Sequence, residues 1–199
     1  MLTGSTGRRI VLVTGPPAAG KTTIAGPLAA ELGFALLAKD RIKETLHDAL
    51  SGADGEAAGA GEAAAGLAWS RRLGAASMEL LWTLAADMRQ AVLEANFWPD
   101  DPRLHARVAG LGVVPVEVHC QCPLEECWRR YTARAASRHA VHLDVHPGRR
   151  PEDFGRSARP LGVGPLLVVD TTRPVDIAAL AADVRERLAA CTPATASDL

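Results

Sequence analysis

Gly15-Pro16-Pro17-Ala18-Ala19-Gly20-Lys21-Thr22 fits the pattern G-x-x-x-x-G-K-[ST] and follows directly on the apolar run Ile10-Val11-Leu12-Val13-Thr14. That pattern carries mechanical meaning only where a strand feeds a glycine-rich loop that opens a helix. The next stretch, Thr23 to Leu32, reads as helix and stops at Gly33. In such a loop, glycines let successive backbone N–H groups converge on phosphate oxygens, the lysine reaches the β and γ phosphates, and the Thr hydroxyl ligates Mg²⁺. Residues Gly15 to Thr23 are therefore expected to bind ATP, with Lys21 also serving the chemistry and Thr22 the metal.

Short apolar runs at 10–14, 34–38, 91–95, 114–120 and 165–169 alternate with segments rich in Ala, Leu, Glu and Arg. This alternation predicts an α/β fold, a three-layer αβα arrangement around a five-stranded parallel sheet. Helices are expected at about 23–32, 41–49, 69–88, 103–110, 123–136 and 174–190, the last capped by Thr172. The 199 residues, 48% of them apolar, suffice for a single domain spanning 1–199. Within it, 51–66 holds almost only Ala, Gly, Glu and Asp and reads as a mobile connection with room for some helix. The segment 137–160, rich in Arg and His and broken by Pro147, Gly148 and Pro151, reads as a flexible lid.

A formal charge of −1 and 4% aromatic residues argue against general attraction to nucleic acid or to an acidic membrane. There is no signal-like start and no run near the roughly 18 apolar residues of a membrane span, so a cytoplasmic protein is expected. Cys120, Cys122, Cys127 and Cys191 lack metal-type spacing and read as reduced and structural. Local charge is more telling. Eight arginines (129, 130, 134, 138, 149, 150, 156, 159) face only Asp144, Glu152 and Asp153 between positions 129 and 159. Among 22 basic residues, the only lysines are Lys21, Lys39 and Lys43, all close in sequence to the loop or to the next strand. A compact point charge is called for at such places, although Lys43 also fits a solvated helix face.

In an open parallel sheet the ligand lies beyond the carboxyl ends of the strands. Asp40, Glu94 and Asp170 stand at three such ends. Asp40 is the favoured general base and a second metal candidate; the bland alternative is a helix N-cap. Glu94, expected on the strand beside the loop strand, suits an acceptor hydroxyl or a metal-bound water, and Asn96 adds a hydrogen bond to substrate. Asp170, with Thr171 and Thr172, reads better as a turn cap. Arg130, Arg134 and Arg138, four residues apart, would form a comb along one helix face if the helix persists. Arg130 and Arg134 are the candidates to stabilise transferred charge, and all three to hold ATP. His139, His142 and His146 are too irregularly spaced to favour a metal site. Trp98 and Trp128 are candidates to line an acceptor pocket, with Lys43 beside it.

These residues together, Gly15 to Thr23, Leu36-Leu37-Ala38-Lys39-Asp40-Arg41-Ile42-Lys43-Glu44, Glu94-Ala95-Asn96-Phe97, and Arg130-Tyr131, Arg134 and Arg138-His139, resemble the P-loop kinases related to chloramphenicol phosphotransferase and the zeta toxins. The likeness spans about 10–142. It implies a nucleoside-monophosphate-kinase-like fold with a lid, and transfer of the γ-phosphoryl group of ATP to a hydroxyl on a small molecule. By that resemblance Lys21 and Thr22 serve phosphates and Mg²⁺, Asp40 is the base, and Arg130 and Arg134 are lid arginines.

The expected activity is thus an ATP-dependent kinase acting on an antibiotic or metabolite alcohol. Two alternatives stay open: a kinase for nucleotides or RNA ends, which needs stacking aromatics and a basic groove, and an ATP-binding switch without transfer. Acceptor identity and oligomeric state are not written in any motif.

Overall fold

A computed structural model describes residues 7–51, 62–143 and 150–191. Five strands, β1 (Arg9–Thr14), β2 (Ala35–Ala38), β3 (Gln90–Glu94), β4 (Val116–Gln121) and β5 (Leu166–Asp170), form one parallel sheet in the order β2-β3-β1-β4-β5. The helices are α1 (Lys21–Leu32), α2 (Lys39–Ser51), α3 (Glu62–Asp87), α4 (Leu104–Gly110), α5 (Leu124–Ala133) and α6 (Ile177–Ala190). The α/β class, the strand count and the parallel sense match the expectation.

The unbroken apolar run of β1 follows from its central place, since a strand covered on both faces has no polar side to show. Val11 and Val13 point into a core shared with α1, α5 and α6, which supply Ile24, Leu28, Cys127, Leu180 and Val184. Ile10 and Leu12 point the other way, to Leu81, Trp82, Leu93, Leu104 and Leu111 on α3, β3, α4 and the turn after it. One alternating strand therefore holds three layers together. Truncating Leu12, fully buried, would cost about 2–5 kcal/mol.

Several local expectations are corrected. Helix α2 starts at Lys39, so Asp40 lies in its first turn and is not its N-cap. Spacings of three and four predict Leu73, Ala76, Leu80, Leu81, Leu84 and Met88 on the apolar face of α3; the structure buries Leu73 and Leu81 together with Ser70, Ser77 and Ala85, and leaves Ala76, Leu80 and Leu84 exposed. A face three and four residues apart can be drawn in two neighbouring registers when serines take core positions, because their hydroxyls bond within reach: Ser77 donates to the Leu73 carbonyl at 2.6 Å. The N-cap of α6 is Asp176, whose carboxylate accepts from the Ala179 N–H at 3.0 Å, not Thr172.

Residues 52–61 of the expected connection, and Asp144 through Arg149 of the expected lid with His146, Pro147 and Gly148, lie outside the described residues. At the lid's far end, Pro151–Ser157 forms a short 3-10 helix. Its Phe154 is fully buried against Trp128 and Tyr131 of α5, at ring distances of 5.7 and 5.2 Å. Among the described residues no helix is long and apolar enough to cross a membrane.

Candidate active site

Strand β1 delivers the chain into the loop 15–20, whose backbone leaves no freedom at Gly15. With φ at +129°, a Cβ there would stand 2.6 Å from the Cys120 carbonyl oxygen of β4. Ala18 is left-handed at φ 60°, an uncommon state for a residue with a side chain, and Gly20 follows at φ 84° as the N-cap of α1. Among the described residues no side chain caps that helix start. Its first N–H groups therefore open toward the cavity, the arrangement that attracts an anion.

Lys21 is buried and its Nζ donates to the carbonyls of Gly15 (2.9 Å) and Pro16 (2.7 Å) and to Asn96 Oδ1 (3.1 Å). Burial pulls its pKa below the ordinary lysine value, against the opposing pull of Glu94, Cys120 and Asp40. The ammonium is thus held by three neutral oxygens, two from the loop and one from Asn96.

Glu94 ends β3 in the position between the other two strand tips. It is in register with Val13 of β1 on one side and Ala38 of β2 on the other. Burial raises its pKa, and the Lys21 charge and the nearby Thr22 side chain counter that rise. Thr22 and Glu94 give a hydroxyl and a carboxylate side by side, an all-oxygen donor pair that suits the hard cation Mg²⁺.

Asp40, half-exposed in the first turn of α2, accepts from Lys39 Nζ at 3.2 Å and Arg138 Nη2 at 3.0 Å. Burial would push its pKa up, but the charges of Lys39, His142 and Arg138 outweigh it and hold the carboxyl down at about 2. Asp40 is therefore ionised throughout the neutral range.

The arginine comb is corrected in form. Helix α5 ends at Ala133 and a 3-10 turn covers Ala135–Ser137, so Arg138 is not on the helical face of Arg130 and Arg134. All three nevertheless line the same cavity of about 1610 Å³, with Lys21, Thr22, Asp40, Lys43, Glu94, Asn96 and Trp98. Arg130 is tied to Glu126 Oε1 at 2.7 Å and to the Thr171 carbonyl at 3.1 Å. Arg134 lies 6.0 Å from the Tyr131 ring centre.

Lys43 is not a solvated helix residue: it is buried and donates to Ser70 Oγ at 2.7 Å and the Val141 carbonyl at 3.2 Å. Trp98 lines the cavity with Arg156 4.3 Å over its ring. Trp128 does not line it, because its ring packs on Tyr131 and Phe154. Asp170 accepts from the Thr172 N–H at 2.9 Å and hydroxyl at 2.6 Å, the turn-capping role. His139 and His142 reach Asp48 (2.9 Å) and Glu44 (2.8 Å).

Sequence reasoning passed over Ser70, Arg71 and Gly74, which line the cavity from one face of α3. Their spacing of three and four was visible, but nothing local said that this face meets α2.

Fold and cavity together define a P-loop protein with the kinase type of fold. Residues 10–147 match the family described as AAA domain, and the chain belongs to that family. A candidate kinase from Chloroflexus aurantiacus J-10-fl is 31% identical, over 92% of this chain and 99% of its own, with a TM-score of 0.71. Shikimate kinase from Acinetobacter baumannii, solved with shikimate, shares the fold at 20% identity (93% and 94% coverage, TM-score 0.57). So does the APS kinase of Mycobacterium tuberculosis, solved with AMPPNP and APS, at 22% identity (93% and 99%, TM-score 0.53). No curated protein matches.

Proposed function

We propose that this chain transfers the γ-phosphoryl group of ATP to a hydroxyl of a small molecule. The observation that carries the reading is the row of strand tips: Lys21 at the loop mouth, Glu94 beside it on β3, and Asp40 just beyond β2, all lining one cavity. A nucleotide switch needs the first of these; an acceptor carboxylate facing it adds the second substrate. The kinship with chloramphenicol phosphotransferase and zeta toxins belongs to this proposal, resting on the Lys39-Asp40 and Arg130-to-Arg138 motifs.

In the proposed reaction the loop N–H groups and Lys21 grip the β and γ phosphates, and Asp40 takes the proton of the acceptor hydroxyl. The acceptor oxygen forms its bond to the γ phosphorus as the bond to the β–γ bridging oxygen breaks, and ADP leaves. Lys21, Arg130 and Arg134 are placed to stabilise charge on the equatorial oxygens, which is most of what such catalysis requires. Thr22 and Glu94 would hold Mg²⁺, which supplies neutralisation of phosphate charge. The test is a mass-spectrometric screen of a deproteinised metabolite extract incubated with the protein, ATP and Mg²⁺. A compound gaining one phosphate with wild type and not with Asp40→Asn supports the reading; ATP turnover only to inorganic phosphate, equal in both, contradicts it.

A further inference from the structure

The cavity is far more basic than the chain. Among the described residues eleven lysines and arginines line it against five carboxylates, while the whole protein carries a formal charge of −1. On the nucleotide side Lys21, Arg130, Arg134 and Arg173 answer the charge of a triphosphate. Of the remaining lining cations, Lys39, Lys43, Arg71 and Arg138 come from α2, α3 and the segment after α5, while Arg103 and Arg107 are paired with Glu79.

The Asp40 side of the cavity is built by α2, α3 and the segment after α5. Lys39 and Arg138 both contact the carboxylate of Asp40, and Lys43 donates to Ser70. Glu44 is engaged with His142. Helix α3 presents Arg71 and, one turn on, Gly74. Gly74 is in mid-helix, where Ala would be favoured by about 1 kcal/mol. A Cβ on it would stand 3.8 Å from Lys39 Nζ and 4.0 Å from Lys43 Cε. Ala would thus fit, whereas any longer side chain would fill the space in front of the Lys39 ammonium. The glycine keeps that ammonium open to the cavity.

We infer that the acceptor is an anionic alcohol, a hydroxyl compound bearing a carboxylate or phosphate that Lys39, Arg71 and Arg138 hold in a subsite roofed by Gly74. This rests on the phosphoryl-transfer reading and narrows it: neutral and cationic acceptors, aminoglycosides among them, are disfavoured. A second oxyanion competes for the two cations now on Asp40, because charge-assisted hydrogen bonds to oxyanions are the strong ones. Binding the correct acceptor would therefore loosen Asp40 from Lys39 and Arg138 and make it a better proton acceptor. Substrate selection and base activation become one event.

The experiment first saturates the loop with AMPPNP and Mg²⁺, then titrates inorganic phosphate, glycerate and glycerol by calorimetry. Expected are saturable binding of at least one of the two anions, none of glycerol, and a weakening of tenfold or more in both Gly74→Leu and Arg71→Gln, with AMPPNP affinity retained. Arg71 is exposed, so its variant guards against a folding defect in the glycine variant. The phosphate and glycerate arms separate a phosphorylated alcohol from a hydroxy acid. AMPPNP bound with no anion uptake, or with uptake that both variants leave unchanged, overturns the subsite alone. Failure of AMPPNP to bind overturns the transfer reading beneath it.

Discussion

Arg138 Nη2 donates to Asp40 Oδ2 at 3.0 Å, joining residues 98 apart in sequence across the mouth of the cavity. The contact ties the segment after α5 to the start of α2, and the same segment is tied again by Val141 to Ser70 and by His142 to Glu44. Asp40 is thus held in place by the segment that follows α5.

Replacing Asp40 by Asn removes the proposed proton acceptor while keeping its size. General-base assistance is worth ~10²–10⁴-fold, so phosphoryl transfer should fall by about that factor with ATP affinity unchanged. The checking pair is a turnover assay and a nucleotide titration on the same preparation.

The same carboxylate predicts a pH signature in stability. Its folded pKa of about 2 lies below the unfolded value of about 3.9, so the folded state binds the proton less tightly. Its contribution is fully present above the unfolded pKa and is lost as pH falls through the folded one. The difference in urea midpoint between wild type and Asp40→Asn should be constant near neutrality, shrink below about pH 4 and vanish near about pH 2.

Gly15→Ala should fold poorly. The new Cβ would lie 2.6 Å from the Cys120 carbonyl oxygen, at a φ of +129° that side chains avoid. Strain of this kind costs about 1–3 kcal/mol, to be read as a lower urea midpoint, and nucleotide affinity should fall with it because the loop must shift.

Beneath the loop, Glu117 of β4 is fully buried and accepts from Thr14 Oγ1 at 2.8 Å, the Leu161 N–H at 2.8 Å and the Gly162 N–H at 3.1 Å. It fixes the turn into β5 to the strand that feeds the loop. Glu117→Ala leaves the buried Leu161 N–H without its acceptor and should destabilise by about 1–3 kcal/mol, with Glu117→Gln losing less. Chemical denaturation of the two variants checks the order.

What was legible in the chain was local. The run Ile10 to Gly33 contains its own strand, loop, helix and stop, so β1, the phosphate loop and α1 could be read without knowing any partner. Glu94 could be placed because a short apolar run must end at the sheet's active edge. What was not legible depends on distant contacts. Nothing near Lys43 announces Ser70 and Val141, nothing near Trp128 announces Phe154, and a carboxylate inside a strand, Glu117, has no local reason to be there. The face of α3 was misread for the same cause, since serines carry core positions only when their hydroxyls find acceptors in the folded chain.

The central claim is that Lys21 and the amides around it grip a triphosphate. Calorimetry of ATP with Mg²⁺ into wild type and Lys21→Ala tests it most directly, with circular dichroism confirming that the variant is folded. We predict saturable one-to-one uptake by wild type, weakened by tenfold or more in the variant. No uptake by wild type, or equal uptake by both, would contradict the account.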